Sequence, residues 1–111
     1  MNTIETLKSK GADIATGLAR CANNEALYLK LVGMGLGDQK FEELGTVLAQ
    51  NDLDRAFEIC HALKGVIGNL ALSPLFESLS RLTEVLRARE SADYPSLYGE
   101  MMSVRATFLD H

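Results

Sequence analysis

The chain is predicted to be all-α, an up-and-down antiparallel four-helix bundle with short additional helices at its N-terminus. Three observations carry that expectation. Apolar residues recur at alternating steps of three and four, as in Leu53, Phe57, Cys60, Leu63, Ile67 and Leu70, the stripe of a core-facing helix. No segment shows the period of two that a half-buried strand requires. The last three helical segments are joined by short connections, which force consecutive helices to lie antiparallel.

The elements follow in order. Two short helices come first, one around Ile4 and Leu7 and one from Asp13 to about Arg20, separated by the break at Gly11. A third begins near Asn23 and Asn24, good capping residues, and carries Leu27, Leu31 and Met34 on one side. Gly33, Gly35 and Gly37 weaken its end, and the pattern resumes with Phe41, Leu44 and Leu48 up to Gln50. This region is either one long bent helix or two helices with a kink at the glycines. Asn51 and Asp52 supply a turn and a cap, with Asp54 in the first turn, where negative charge suits the helix dipole. The helix that follows carries His61 and ends near Leu70 to Leu72. Ser73 and Pro74 read as the cap and first position of the next helix, which shows Phe76, Leu79, Leu82 and Leu86 on one face. A polar turn from Arg89 to Asp93 leads into the last helix. There Pro95 is acceptable in the first turn, and Tyr94, Leu97, Met101, Val104 and Phe108 form the apolar side.

Composition narrows the function. A chain of 111 residues is one domain, residues 1–111, with no room for a second catalytic module. No apolar run approaches the roughly 20 residues needed to cross a bilayer, and Glu5 within the first turns does not suit a secretory signal. A cytoplasmic protein with no membrane partner is expected. The formal charge of −4 argues against nucleic acid, whose affinity rests on clustered Lys and Arg. The one local basic grouping, Arg81, Arg87 and Arg89, is diluted by Glu84 and Glu90. Cys21 and Cys60 lack C-x-x-C spacing and read as reduced thiols. Cys60 sits on the core stripe, and a metal site from Cys60 and His61 is disfavoured because adjacent helical residues diverge.

The segment His61-Ala-Leu-Lys-Gly-Val-Ile-Gly68 is the most informative. His61 lies just outside the apolar stripe, and Lys64, Gly65 and Gly68 share its face. Glycine inside a helix costs about 1 kcal/mol relative to alanine, so the two together surrender about 2 kcal/mol of a stability of only about 5–15. Something must offset that loss. Close packing of a neighbouring helix is one candidate, and close approach of a partner's backbone or active site to His61 is the other. Because both glycines lie on the histidine's side, the second carries more weight.

These residues resemble the histidine phosphotransfer domain, the HPt module of bacterial phosphorelays. The H-x-L-K-G signature stands as His61, Leu63, Lys64 and Gly65, followed by the small residue Gly68, then Asn69 and Leu70. Upstream, Asn24 to Tyr28 and Asn51 to Ala56 look like the family's approach to its long helical region and to its histidine helix. Downstream, Leu72 to Leu86 looks like its following helix. The resemblance covers roughly residues 13 to 108. One departure is Ala71, where the family usually has glycine, so the resemblance does not fix the last residue of the histidine helix.

By that resemblance His61 is the phosphoacceptor, taking a phosphoryl group from a receiver aspartyl-phosphate and passing it to an aspartate on another receiver. An ordinary imidazole titrates near 6.5 and is mostly unprotonated at neutral pH. It therefore needs no separate base. The chain contains no phosphate loop, nucleotide cradle or acidic cluster fit for Mg²⁺, so Mg²⁺ and the catalytic carboxylates are expected on the partner receiver. The protein is then a phosphocarrier that serves as substrate, with no cofactor or metal of its own. Lys64 is read as stabilising the phosphoryl charge, against a solvated surface lysine. Gly65 and Gly68 would admit the receiver, against helix packing, and Asn69 either caps the helix or orders the site. His111 reads as an untethered tail residue. The partners implied are response-regulator receiver domains and a hybrid sensor kinase, met by a monomer. Met1 and the length favour a free-standing protein over a piece of a hybrid kinase. The alternative function is a helical adaptor or decoy that binds a receiver or kinase without carrying phosphate. A ligand- or metal-binding bundle would need inward-facing His or Glu on several helices, and the stripes show none.

Overall fold

The computed structural model describes residues 2–109, all of whose regular structure is helical. His111 lies outside the described residues. Among the described residues seven helices run in order: α1 (Ile4–Ser9), α2 (Ile14–Arg20), α3 (Glu25–Leu36), α4 (Lys40–Ala49), α5 (Leu53–Asn69), α6 (Ser73–Arg87) and α7 (Tyr94–Leu109). Among the described residues no helix is long and apolar enough to cross a membrane.

Short polar side chains set most of the starts. A helix leaves its first N–H groups without internal partners, and a side-chain oxygen just before the helix accepts from one of them. Asp13 accepts from the Thr16 N–H, Asn24 from that of Leu27 and Asp52 from that of Arg55. Asp93 does the same for Ser96 ahead of α7. Asp13 is thus a cap rather than the first helical residue. The region around Gly33 to Gly37 resolves into two helices. Gly37 caps α3 by donating to the Gly33 carbonyl, and Asp38 then accepts the Lys40 N–H at 2.8 Å, which starts α4 afresh.

The junction between α5 and α6 differs by one residue from the sequence reading. Leu72, not Ser73, stands at the cap of α6, with Ser73 the first helical residue and Pro74 within the first turn. Leu72 is drawn into that place by the end of α5. There the Leu72 N–H bonds to the Ile67 carbonyl and the Ala71 N–H to that of Gly68, the paired closure of a Schellman motif. Ala71 occupies the left-handed position of that motif, with φ of 58°. This explains why glycine would suit the site, and the buried pair Leu72 and Ile67 supplies the hydrophobic contact that accompanies it.

In the packing, α5 lies against α4 and α6, and α7 closes the arrangement by contacting α6 and α4. Phe41, Leu44, Leu63, Ile67, Leu75, Leu79, Leu86 and Met101 meet in the interior, all fully buried. Two expected faces are corrected. Leu27 and Met34 of α3 are exposed and Leu31 is half-buried, while Tyr28, Val32, Gly35 and Leu36 face the core. Both sides of α3 are apolar, and the choice falls to the side whose small residues admit close neighbours. A Cβ on Gly35 would lie 2.7 Å from Leu70, and one on Gly17 of α2 would lie 2.4 Å from the Tyr28 ring. On α6, Leu75 takes the core place expected of Phe76, which is 36% exposed.

The N-terminal helices also hold the end of α5. A helix C-terminus leaves its last carbonyls unsatisfied, and here three donors remote in sequence reach them or the turn beyond. Arg20 donates to the Gly68 carbonyl at 2.6 Å, the Tyr28 hydroxyl to that of Leu70 at 2.8 Å, and the Asp13 N–H to that of Ala71 at 2.8 Å. Removing the buried hydroxyl with Tyr28→Phe leaves the Leu70 carbonyl without this donor and should destabilise the fold by about 1–2 kcal/mol. Urea denaturation measures it. An unchanged midpoint would show that this bond contributes nothing.

Candidate functional site

The orientation of His61 is set by what α5 buries. Ala56, Ile59, Cys60, Leu63 and Ile67 all point inward, and successive side chains on a helix turn by about 100°. His61 therefore points out, and its side chain is exposed. Among the described residues no hydrogen bond or ion pair engages its ring nitrogens. Its one ring contact is with Phe57, a turn earlier on α5, at 5.8 Å between centroids and 18° between planes. Phe57 is half-buried, and the Arg87 guanidinium of α6 lies 5.5 Å from its ring centroid.

The other expected site residues line the same flank. Lys64 is half-buried one turn beyond His61, and among the described residues its ammonium forms no ion pair. Gly65 and Gly68, expected to act alike, have different surroundings. A Cβ on Gly65 would meet nothing within 4 Å, whereas one on Gly68 would come within 2.9 Å of the Phe76 ring. The loss of helix propensity at Gly68 is thus matched by close packing of α6, and at Gly65 no packing within the chain accounts for it. Asn69 is exposed at the last turn of α5. It lines an apolar concavity of about 340 Å³ together with Leu31, Met34, Gly35, Val66 and Leu70.

Cys60 belongs to the interior, as its place on the stripe requires. Its Sγ lies 3.1 Å from the Thr83 hydroxyl, which is also 2.6 Å from the Leu79 carbonyl. Burial pushes the Cys60 thiol up to about 11, opposed by the Thr83 hydrogen bond and the Lys64 charge. The basic grouping of α6 and the turn after it is neutralised locally, since Arg81 pairs with Glu100, Arg87 with Glu84 and Arg89 with Asp54. Among the described residues no group of three or more His, Cys, Asp or Glu side chains converges in a way that could hold a metal ion.

An outward imidazole with unengaged nitrogens, flanked one turn on by a lysine and by an open glycine, is an arrangement suited to accepting a group from a bulky donor. The family model described as the Hpt domain matches residues 37–107. The chain belongs to the Hpt domain family. Hpt domains carry phosphoryl groups on histidine in phosphorelays, act as carriers rather than catalysts, and interact with response-regulator receiver domains. No curated protein and no solved structure matches the chain. The Hpt match takes in α4 to α6 and α7 as far as residue 107, so α1, α2 and α3 lie outside it, and with them Asp13, Arg20 and Tyr28, the donors to the end of α5.

Two contacts of this Hpt domain are absent from the sequence reading. The stack of Phe57 on His61 has a visible signal, the i, i+4 spacing that brings helical side chains together, but Phe57 also fits the core stripe, and spacing alone places it there. The partner of Gly68, Phe76, lies on another helix and leaves no local signal.

Two outcomes follow from these surroundings. Gly65→Ala should raise stability by about 0.5–1 kcal/mol; Gly68→Ala, which must displace Phe76, should fall short of that gain in the same denaturation assay. Equal gains would contradict the packing assigned to Gly68. For Cys60, the unfolded thiol ionises near 9.0 while the folded one keeps its proton to about 11. Unfolding therefore releases a proton in that window, and stability should fall as the pH rises through it. Burial also raises Tyr28 and Tyr98, so the comparison is with Cys60→Ala, whose stability should fall less steeply over the same window. Identical slopes would contradict the raised thiol.

Proposed function

We propose that the protein is a phosphorelay intermediate, accepting a phosphoryl group on His61 from a receiver aspartyl-phosphate and passing it to an aspartate of another receiver. The observation that carries this reading is the exposed His61 ring with unengaged nitrogens beside the open space at Gly65. In the forward step the lone pair of the unprotonated ring nitrogen attacks phosphorus. The N–P bond forms as the P–O bond to the aspartyl carboxylate breaks, and that carboxylate leaves with the electron pair. The positive charge left on the phosphorylated ring is relieved when the other nitrogen gives its proton to solvent. Transfer to the next receiver runs these bond changes in reverse.

Phosphoryl transfer depends on positioning and charge stabilisation. Lys64 supplies a cation one turn from the acceptor, while Gly65, Gly68 and Asn69 lie on the flank that a receiver would cover, with Gly68 reached past Phe76. Mg²⁺ and the catalytic carboxylates belong to the receiver, and the protein is a substrate with no cofactor of its own. The same reading makes residues 1–111 one module with α4 to α7 alternating up and down, working as a cytoplasmic monomer between a hybrid sensor kinase and its receivers. Short connections between α4, α5 and α6 support the alternation.

The test is incubation with a phosphorylated receiver and Mg²⁺. Acid-labile, alkali-stable label should appear on the protein and be absent from His61→Gln. Lys64→Ala should slow transfer on the order of tenfold, less than the loss of a buried donor in an enclosed active site. An unchanged rate would return Lys64 to a solvated surface lysine. If no cognate receiver ever labels the wild type, the carrier reading fails in favour of an adaptor or decoy that binds without accepting phosphate.

A further inference from the structure

We infer that Phe57 is a positioning residue for the His61 imidazole, held in place from α6 by Arg87. The inference rests on His61 being the phosphoacceptor. An exposed side chain with no polar partner is ordinarily free to sample its staggered rotamers, and ordering it costs entropy. Here the ring has a wall to lean on. Helical side chains slope towards the N-terminus, so His61 lies back over the residue four positions earlier, and the 18° angle between the rings makes that contact a stack.

Phe57 is suited to the role because it is itself restrained. It is half-buried against the core, and the Arg87 guanidinium of α6 sits 5.5 Å from its centroid, a cation–π distance. Arg87 is in turn paired with Glu84 at 3.5 Å. The series Glu84, Arg87, Phe57, His61 thus ties the ring to the neighbouring helix through contacts that occupy neither imidazole nitrogen. A hydrogen bond would fix the ring equally well but would engage a nitrogen that must attack phosphorus or release a proton. On the other side of His61, towards Gly65, a Cβ would meet nothing. The ring is backed on one side and open on the other, and an incoming phosphoryl group approaches from the open side.

The test compares wild type, Phe57→Leu, Phe57→Tyr and Arg87→Ala in single-turnover transfer from a phosphorylated receiver with Mg²⁺, over a range of receiver concentrations. Leucine keeps apolar bulk, so folding is retained, but it offers no ring face. Phe57→Leu should lower the saturated transfer rate on the order of tenfold while leaving the half-saturating receiver concentration unchanged. Phe57→Tyr should restore the rate, and Arg87→Ala should fall between. Nuclear magnetic resonance of the unphosphorylated protein gives a readout independent of transfer. The His61 ring protons, shifted by the Phe57 ring current in wild type and Phe57→Tyr, should move to solvent-exposed positions in Phe57→Leu. A wild-type rate in Phe57→Leu, a loss confined to the half-saturating concentration, no rescue by Phe57→Tyr, or unmoved ring protons would each overturn the inference. Wild-type protein that never accepts label would overturn the phosphoacceptor reading as well, whereas normally labelled wild type with an unaffected Phe57→Leu overturns this inference alone.

Discussion

The rotational setting of α5 is the constraint on which the site depends. Ala56, Ile59, Cys60, Leu63 and Ile67 fill the space beside α4 and α6, and each large aliphatic side chain so buried contributes about 1.5–3 kcal/mol. Turning the helix to bring His61 inward would expose several of them at once and cost a large share of a typical domain's stability. The histidine is thus kept outward by burial of its neighbours rather than by any bond of its own, which leaves its nitrogens available for chemistry.

Both ends of α5 are anchored so that this setting is kept along its length. Asp52 caps the start, and Arg89, in the turn that follows α6, ties it down through Asp54 and the Leu53 carbonyl. At the far end, the Schellman closure through Ala71 and the donors from Arg20, Tyr28 and Asp13 hold the last carbonyls. Between these anchors the two motif glycines divide the labour: Gly68 lets Phe76 of α6 come close, and Gly65 leaves open space beside His61. A motif that reads as one unit in sequence therefore has two physical settings, one glycine packed within the fold and one open at its surface.

The sequence made α5 and its histidine plain because that helix is strongly two-faced, with apolar residues at regular steps and a polar outer side. The caps at Asn24 and Asp52 were legible for the same local reason. The buried side of α3 was not. Leu27, Leu31 and Met34 made as good a stripe as Tyr28, Val32 and Leu36, and the choice was settled by contacts of Tyr28 with Gly17 and of Gly35 with Leu70, partners far away in sequence. Phe76 and Phe57 were hidden in another way, since each fits a core stripe by spacing while its ring lies at the edge of the core against a small residue or a stacked ring. Periodicity reports which residues can share a face; it is silent on which distant side chain meets that face.

The open side of His61 is tested most directly by a size series at Gly65, Gly65→Ala, Gly65→Val and Gly65→Leu, phosphorylated in parallel by a receiver and by a small phosphodonor such as phosphoramidate. If the glycine exists to admit a bulky partner, transfer from the receiver should fall step by step with side-chain size while the small donor labels all four proteins, wild type included, at similar rates. Receiver transfer that is indifferent to the size of residue 65 would contradict that account.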